Sequence, residues 1–361
     1  MYKRKIKFIN LKISYIFLIK LLFIFITIFF IKKLKYFKNN LSKIKTINIK
    51  KNFHKLFLYK EDEKMDLNNK NVINICMALD NNIIYPTLVS MTSALENNNK
   101  NILSYYLLLS NDFNKENIKI FESLKRKYPV LINYYIIPNI FDSFKKWNKG
   151  THCHYHKIII PMIFPNLERI LYLDSDTLIF KDLSKIYNLH FNNNFILGAQ
   201  AANKYIVKKL NLKIKVYINV GVLLFNIKKI RKYNKDIKLL YFIMKYNKKY
   251  KYPEQDSLNI IFNPKIGILP YEWGIRIIDT LKSYKKYYEP LYIKKYPINE
   301  IKNAISNPGL VHLIYCFPKI WHRITKYRFK NDQICKKYRK KFYYYAKKTK
   351  YYSKIYHNLY T

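Results

Sequence analysis

Glycine and acidic residues are both scarce in this chain. Only 6 of its 361 residues are glycine, and 22 aspartates and glutamates stand against 68 lysines and arginines, which gives a formal net charge of +46. Isoleucine, lysine, asparagine and tyrosine are used heavily throughout, a pattern that biased codon usage alone could produce. The charge is therefore weak support for any particular partner. A nucleic-acid binder would use it to neutralise phosphates, but the lysines run through every segment and do not cluster on one motif.

Cysteine is also rare. Cys76, Cys153, Cys316 and Cys335 form no Cys-x-x-Cys pair and no dense framework, which excludes a small scaffold held by disulfides. Cys76 and Cys316 lie within apolar patterns, where a free cysteine behaves as a small hydrophobic residue. We expect buried thiols in a chain that is long enough, and apolar enough at 50% hydrophobic residues, to bury a large core.

A long apolar run occurs near the amino terminus. Residues 13–31 are apolar apart from Ser14, Lys20 and Thr27, and as a helix they would span about 28 Å, close to the hydrocarbon core of a bilayer. Basic residues flank both sides, so the positive-inside rule does not fix the orientation. The pattern predicts a basic tail over 1–12 and a transmembrane signal anchor over 13–31. We expect a single-pass type II membrane protein of the Golgi or endoplasmic reticulum with a luminal domain.

The rest of the chain divides by pattern into a stem, one α/β domain and a tail. Residues 32–70 are rich in lysine and asparagine with weak periodicity, as in a stem. Alternating strand and helix patterns over 71–325 predict a parallel, Rossmann-like central sheet flanked by helices. We predict strands over 72–79, 102–109, 131–137, 169–173, 195–199, 217–226 and 310–314, and helices over 87–95, 114–128, 155–164, 230–246 and 256–262. The basic, tyrosine-rich stretch over 326–361 is either a membrane-surface segment or a solvated helix.

Two carboxylates end the apolar run over 170–173. Asp174 and Asp176 are two residues apart, so on an extended chain they project to the same side and can bind one divalent cation. The strand before them predicts that this site lies at the carboxyl end of a strand, where open α/β sheets bind ligands. A cation held there can also bind a diphosphate.

With these residues the chain resembles the family 8 glycosyltransferases, retaining enzymes of the GT-A fold. The Tyr-Leu-Asp-x-Asp motif of that family stands here as Tyr172 to Asp176, and further segments agree in order from about residue 72 to residue 323. The resemblance implies a GT-A fold with a Rossmann-like mixed central sheet. It also implies a transferase that uses a nucleotide-sugar.

The resemblance extends to the residues that contact the nucleotide. The turn Ala78-Leu79-Asp80-Asn81-Asn82 resembles the segment that receives uridine, with Asp80 and Asn82 as its polar contacts. Tyr155-His156-Lys157 resembles the Tyr-x-Arg that opens a helix, and Lys157 keeps the charge without the planar fork of arginine. The implied donor-binding set is Ala78, Asp80, Asn82, Lys157, Asp174, Ser175, Asp176, Gly221, Asp256 and Lys319. The nearby His152, Cys153, His154 and His156 also allow a zinc site as an alternative, although clustered histidines in a loop more often bind no metal.

Two further segments carry the residues that the resemblance places at the reacting sugar. Asn219-Val220-Gly221 resembles a strand in which the asparagine lies near the donor sugar and the glycine allows close approach of the backbone. Glu254-Gln255-Asp256 resembles the start of a helix, with Gln255 beneath the anomeric carbon and Glu254 beside the donor. The implied catalytic residues are Gln255, Glu254 and Asn219.

The closing segment supplies the last metal ligand. Val311-His312 through Lys319-Ile320-Trp321 resembles His-x-x-Gly-x-x-Lys-Pro-Trp, in which His312 would complete the metal shell and Lys319 would hold the diphosphate. The glycine is absent here and the spacing from histidine to lysine is one residue longer. Two carboxylates and an imidazole suit Mn²⁺, with Mg²⁺ as the alternative.

Together with the apolar run near the amino terminus, the resemblance implies a membrane-anchored, Mn²⁺-dependent retaining transferase. It would move a hexose from a UDP-sugar, UDP-glucose or UDP-galactose, to a glycan, lipid-linked or protein acceptor. A homodimer is compatible with this prediction, and no nucleic acid is expected. A second hypothesis is a member of the family that binds nucleotide-sugar without turnover. A third is a basic protein that binds a membrane surface or nucleic acid, which explains the charge but not the ordered segments.

Overall fold

The structure, a computed structural model, describes residues 57–62, 71–145, 151–164, 166–201, 214, 216–277, 296–314, 319–321 and 333–357. The predicted transmembrane anchor over 13–31 and most of the predicted stem over 32–70 lie outside these residues. Within the described ranges, no helix has the length and apolar character needed to cross a membrane.

The core of the described part is a mixed sheet of eight strands in the order β1-β4-β3-β2-β5-β8-β7-β9. Strands β2, β3, β4 and β5 run parallel, whereas β8 is antiparallel to both of its neighbours, β5 and β7. The strands are β1 (Leu58–Lys60), β2 (Asn71–Leu79), β3 (Asn101–Leu109), β4 (Val130–Ile136), β5 (Arg169–Leu173), β6 (Thr177–Ile179), β7 (Ile196–Gln200), β8 (Ile218–Asn226), β9 (Ile266–Ile268), β10 (Ile275–Arg276) and β11 (Leu310–His312). The inner strands are nearly continuous apolar runs because both of their faces are buried.

Helices pack against this sheet. The α-helices are α1 (Ile84–Glu96), α2 (Ile118–Glu122), α3 (Ile160–Ile163), α4 (Ser184–Tyr187), α5 (Ile227–Lys232), α6 (Lys235–Tyr246), α7 (Pro253–Phe262), α8 (Ile298–Ser306), α9 (Gln333–Ala346) and α10 (Tyr352–His357). Single-turn and longer 3₁₀ helices occur at Lys115–Asn117, Ser123–Arg126, His152–Ile159 and Tyr271–Trp273. The mixed α/β architecture confirms the predicted fold class at this level.

A second, three-stranded sheet brings the end of the domain to the predicted metal motif. Its order is β10-β11-β6, and β11 runs antiparallel to β6. In this pairing His312 lies opposite Thr177, the residue that follows Asp176. The amide of Leu313 also donates to the carbonyl of Asp176 at 2.8 Å. The pairing of β11 with β6 therefore places His312 beside the two aspartates.

The structure differs from the prediction in three helices. The predicted helices over 114–128 and 155–164 are α-helical only over Ile118–Glu122 and Ile160–Ile163, with 3₁₀ helix beside them. We predicted a single helix over 230–246, but helices α5 and α6 are separated near Asn234, which has a positive φ of 50°. Asparagine adopts this left-handed conformation more easily than most residues. The apolar periodicity continues through the break because the buried apolar residues of both helices belong to one apolar cluster.

The described part of the carboxyl-terminal stretch packs on the domain. Helix α9 buries Cys335, Tyr338, Phe342, Tyr345 and Ala346 in the same cluster as α1 and the central strands. The side-chain amide of Asn97, after α1, donates to the hydroxyl of Tyr345 at 3.0 Å.

The cysteines follow the prediction only in part. Cys76 and Cys153 are free and buried, as we predicted. Cys335 is disulfide-bonded, so the prediction of a thiol there is wrong. An apolar sequence pattern indicates that a cysteine is buried, but not whether a second sulfur is within bonding distance.

Candidate active site

The loop that follows β5 is fixed by its own backbone. The amide of Asp174 donates to the carbonyl of Gly221 on β8 at 2.7 Å, and the hydroxyl of Thr177 donates to the carbonyl of Asp174 at 3.0 Å. Because the loop is bonded to β8 and leads directly into β6, the side chains of Asp174 and Asp176 have little freedom to separate.

Asp174, Asp176 and His312 form one compact group. One ligand atom from each lies within 4.8 Å of the others, and no second group of three such residues occurs in the described ranges. The His312 Nε2 atom is 2.9 Å from Asp176 Oδ1 and 3.6 Å from Asp174 Oδ2. Two carboxylates and an imidazole are a donor set that suits a divalent cation.

The backbone of β8 leaves room for this group only because residue 221 is glycine. A Cβ atom there would lie 2.3 Å from His312 Cε1 and 2.7 Å from Asp174 Oδ2. Both distances are shorter than those at which Cβ atoms contact other heavy atoms in proteins. The close approach of two ligand side chains, His312 and Asp174, to a position that has no side chain of its own fits a built metal site. In a chain with six glycines, Gly221 is therefore explained by the site.

Two lysines balance the charge of the aspartates. The Lys157 ammonium is 3.1 Å from Asp174 Oδ1 and also donates to the carbonyl of Val220 at 3.1 Å, in a place where Lys157 is only 2% exposed. The Lys319 ammonium is 2.6 Å from Asp176 Oδ2. The charges of the two carboxylates are thus already neutralised by two ammonium groups. The charge of an added divalent cation can therefore be balanced only by an anionic ligand that binds with it.

The charge of these neighbours changes the acidity of Asp176. Burial by itself raises the pKa of this carboxyl, but the positive charge of Lys319 and of His312, together with their hydrogen bonds, holds the pKa of Asp176 well below its usual range. Asp176 is therefore ionised, as a metal ligand must be.

The predicted nucleotide turn lies beside the metal group. Asp80, at the end of β2, is buried, and its Oδ1 atom accepts from the amide of Asn82 at 2.8 Å. The hydroxyl of Ser175 donates to the carbonyl of Ala78 at 3.2 Å, which joins the end of β2 to the aspartate loop. The side chain of Asn82 is exposed.

Two of the predicted catalytic side chains, Asn219 and Gln255, also lie together. Asn219 Nδ2 is 3.3 Å from Gln255 Oε1, and Gly221 is two residues from Asn219 on the same strand, so these side chains adjoin the metal group. Asp256 is different. It has no exposed surface, and its oxygens accept from the hydroxyl of Tyr217 and from the amide of Tyr252. The structure does not place Asp256 where a donor could touch it, because the side chain points from α7 into the core.

The histidines before α3 do not form a second metal group. His152 bonds the carbonyl of Phe144 at 3.2 Å, and His154 Nε2 is 3.9 Å from Glu254 Oε2. His156 is buried, and that burial lowers its pKa to about 3. The ring nitrogens do not converge on one point, so the described residues give no support to the alternative of a zinc site.

Two residues of the site were not predicted from the sequence. The hydroxyl of Tyr172 donates to Asp174 Oδ1 at 2.7 Å, and the hydroxyl of Tyr217 bonds both Gln255 and Asp256. The position of Tyr172 two residues before Asp174 was an available signal, because residues two apart on a strand share a face. Nothing in the sequence pairs Tyr217 with a residue 39 positions later.

Comparison with solved structures identifies the fold. The chain superposes on the galactosyltransferase LgtC, solved in complex with donor and acceptor sugar analogs, with a TM-score of 0.61 and 18% identity over 77% of this chain and 96% of that one. It also superposes on the bifunctional glycosyltransferase WbbM with a TM-score of 0.62 and 16% identity over 83% of this chain and 53% of that one. At these identities the likeness shows the fold alone, which is GT-A-like.

The sequence then gives the family. Residues 74–325 match the family model described as glycosyl transferase family 8, so the chain belongs to that family. A lipopolysaccharide 1,2-glucosyltransferase from Escherichia coli is 24% identical over 298 residues, which cover 77% of this chain and 83% of the relative. A putative glycosyltransferase from Haemophilus influenzae is 26% identical over 261 residues, 70% of this chain and 73% of the relative. The family predicted from the motifs is confirmed.

The predicted location is wrong. We predicted a type II protein of the Golgi or endoplasmic reticulum, but the Escherichia coli relative comes from a bacterium, a cell that has neither compartment. The apolar run over 13–31 was assigned from its length and composition, which do not identify a compartment.

Proposed function

We propose that this chain is a Mn²⁺-dependent retaining hexosyltransferase that uses a UDP-sugar as donor. The observation that carries the proposal is the convergence of Asp174, Asp176 and His312 beside Gly221, at the end of the strands where α/β sheets bind ligands. We assign the activity to a domain over residues 71–325, which closely matches the extent of the family model.

Asp174, Asp176 and His312 would hold the cation in this account. A bound Mn²⁺ ion would act as a Lewis acid on the diphosphate of the donor and stabilise the nucleotide as it leaves. The site's own residues supply the rest of the charge. Lys319 and Lys157 already lie within 3.1 Å of the two aspartates, so each can shift a hydrogen bond to a phosphate oxygen when a diphosphate arrives.

The turn after β2 would receive the nucleotide. Asp80 and Asn82 lie at its end, and the bond from Ser175 to the carbonyl of Ala78 joins that turn to the metal group. Gly221 lets His312 and Asp174 lie against the backbone of β8, where the cation they hold would meet the donor. We propose Ala78, Asp80, Asn82, Lys157, Ser175, Gly221 and Lys319 as donor-binding residues, with Glu254 beside the sugar.

The configuration at the anomeric carbon would be retained if the acceptor hydroxyl attacks from the side on which the nucleotide departs. Gln255 and Asn219 are hydrogen-bonded to each other, so both can lie under the sugar ring as positive charge develops there. The hexose would be glucose or galactose, in line with relatives named as lipopolysaccharide 1,2-glucosyltransferase and lipopolysaccharide 1,3-galactosyltransferase. The acceptor would be a glycan, lipid-linked or protein hydroxyl.

Release of UDP from a panel of UDP-sugars with Mn²⁺ tests the proposal. The full chain is compared with the variant Asp174→Ala/Asp176→Ala. We expect release, even without an acceptor, from one UDP-hexose and its loss in the variant. Release that is equal in the two proteins would contradict the proposal.

A second candidate is a protein that binds nucleotide-sugar without turnover. The pairing of both aspartates with lysines favours it, because these ammonium groups compete with a cation for the same oxygens. Binding of UDP with Mn²⁺, without release from any UDP-sugar in the presence of candidate acceptors, would support this second function over the first.

A further inference from the structure

A chain of hydrogen bonds links strand β8 to helix α7 through five residues. The hydroxyl of Tyr217 donates to Asp256 Oδ1, and Gln255 Nε2 donates to the oxygen of Tyr217 at 3.0 Å. Asn219 Nδ2 donates to Gln255 Oε1 at 3.3 Å, and the backbone amide of Gly221 donates to Asn219 Oδ1 at 2.9 Å. Gln255 is therefore held at both ends of its amide group.

At the two ends of this series of hydrogen bonds, the donor and acceptor roles are fixed. At one end, the backbone N–H of Gly221 can only donate, so the oxygen of Asn219 faces it and the amide nitrogen of Asn219 faces Gln255. At the other end, an ionised Asp256 can only accept, so it takes the one proton of Tyr217. The oxygen of Tyr217 is then left to accept, and only the nitrogen of Gln255 can donate to it.

We propose that Tyr217 and Asp256 are positioning residues that fix the amide orientation of Gln255, with its carbonyl oxygen turned toward Asn219. The inference rests on the proposed function, in which Gln255 lies beneath the anomeric carbon. The orientation matters there because a carbonyl oxygen stabilises developing positive charge, whereas the N–H groups of a flipped amide oppose it.

Tyr217 and Asp256 are buried, so they can influence a donor only through a neighbouring residue such as Gln255. Tyr217 is 2% exposed and Asp256 is not exposed, whereas Gln255 is half-buried. The second oxygen of Asp256 accepts from the amide of Tyr252 at 3.0 Å, a group that can only donate. Burial raises the pKa of Asp256 to about 6, so the carboxyl is ionised in an assay at pH 8.

Two variants change this series of hydrogen bonds in different ways. Tyr217→Phe removes the acceptor for the nitrogen of Gln255. Asp256→Asn reverses the polarity: its oxygen must face the donor-only amide of Tyr252, so its NH₂ group points at Tyr217, and the hydroxyl of Tyr217 is freed to donate to Gln255 Oε1. Asp256→Asn also removes a buried charge, so it is expected to fold.

The kinetic test separates positioning from general damage. At pH 8 each variant should lower kcat for UDP release about tenfold, the effect of one hydrogen bond, with the KM for the donor changed less than about twofold. In a Gln255→Ala background, Tyr217→Phe should have no further effect on kcat. The control Tyr134→Phe removes a comparable hydroxyl bond to Glu122, at 2.7 Å, and should leave kcat unchanged. A kcat that is unchanged in both variants, or a tenfold loss that persists without Gln255, would overturn the inference.

A second measurement does not depend on turnover. The chain contains three glutamines, Gln200, Gln255 and Gln333, so protein labelled with ¹⁵N only in glutamine gives three side-chain amide signals, and Gln255→Ala identifies one of them. Tyr217→Phe and Asp256→Asn should each shift the Gln255 signal, whereas Tyr134→Phe should not. A Gln255 signal that stays in place overturns the inference. A shifted signal in a protein that turns over no UDP-sugar supports the positioning role and contradicts only the proposed function.

Discussion

Gly221 is the residue on which the geometry of the metal group depends most closely. An added Cβ atom would lie 2.6 Å from His312 Nδ1 and 2.7 Å from Asp174 Oδ2, so both ligands would have to move. A displacement of about 1 Å can lower activity about a hundredfold. We therefore expect Gly221→Ala to lose at least about that factor in UDP release.

Gly198→Ala is the matched control for this substitution. Gly198 lies on the neighbouring strand β7, and its added Cβ would meet the Cδ1 atom of Ile218 at 2.5 Å, a contact outside the metal group. This variant should lose stability in urea but keep Mn²⁺-dependent UDP release. Equal losses of activity in both variants would show that strain in the sheet, and not displacement of the metal ligands, causes the effect of Gly221→Ala.

Lys319 is expected to have opposite effects on the metal and on the nucleotide. Its ammonium lies 2.6 Å from Asp176 Oδ2 and so competes with a cation for that oxygen. Lys319→Ala should tighten binding of Mn²⁺ alone and weaken binding of UDP with Mn²⁺ by about tenfold or more, the value of a charge-assisted hydrogen bond.

Titration of Mn²⁺ by electron paramagnetic resonance, with and without UDP, measures both effects. Lys181→Ala serves as control because Lys181 pairs with Glu272 away from the aspartates. Weaker binding of Mn²⁺ alone in Lys319→Ala would contradict the account of Lys319 as a competitor.

At the scale of elements, helix α9 is expected to stabilise the domain. Phe342 is 1% exposed and packs in the main cluster, whereas Tyr344, two residues later on the same helix, is 54% exposed. Phe342→Ala should lower the free energy of unfolding by about 3 to 5 kcal/mol, and Tyr344→Ala should change it by no more than about 0.5 kcal/mol. Urea unfolding measures both, and similar values for the two variants would show that α9 does not pack as described.

The sequence predicted the elements that carry strong periodic patterns. Strands β2, β3, β5 and β8 fall within a residue of their predicted bounds, because long apolar runs ending in polar residues have few alternative structures. Short strands such as β6 and β9 were missed. A strand of three residues is too short to show a periodic pattern. The pairing of β6 with β11 and of β9 with β7 also depends on segments that are distant in the sequence.

The candidate site shows the same division. Asp174, Asp176 and His312 were predicted because a motif and an ordered set of segments identified them, and the structure brings them together. Asp256 was predicted as a donor contact, but its side chain turns into the core toward Tyr217. The start of a helix fixes where a residue lies along the chain, but the direction of its side chain depends on packing with β8.

At the scale of the whole molecule, one buried histidine should make the domain less stable in acid. Burial lowers the pKa of His156 to about 3, below the ordinary value near 6.5. Above pH 6.5 both folded and unfolded states are neutral at this residue. As the pH falls from 6.5 toward 3, only the unfolded state binds the proton, so stability falls by up to about 1.4 kcal/mol per pH unit.

Urea unfolding between pH 7 and 4 tests this dependence. Compared with the unmodified chain, His156→Phe should lose stability less steeply in acid, and the exposed His190→Phe should keep the original slope. An unchanged slope in His156→Phe would mean that the ring of His156 can bind a proton within the fold.

The large positive charge of the molecule bears on how it would bind its donor. A net charge of +46 attracts any nucleotide, so UDP binding alone does not identify the site. UDP binding that depends on a divalent cation and on His312 does identify the site, because nonspecific electrostatic attraction requires neither of them.

Calorimetric titration of UDP, with and without Mn²⁺, therefore tests the central claim most directly. It is carried out on the unmodified chain, on His312→Ala and on His190→Ala as a surface control. The account predicts that UDP binds the unmodified chain and His190→Ala at least about tenfold more tightly with Mn²⁺, and that His312→Ala loses this gain. Equal affinity with and without Mn²⁺ in the unmodified chain would contradict a metal-held donor.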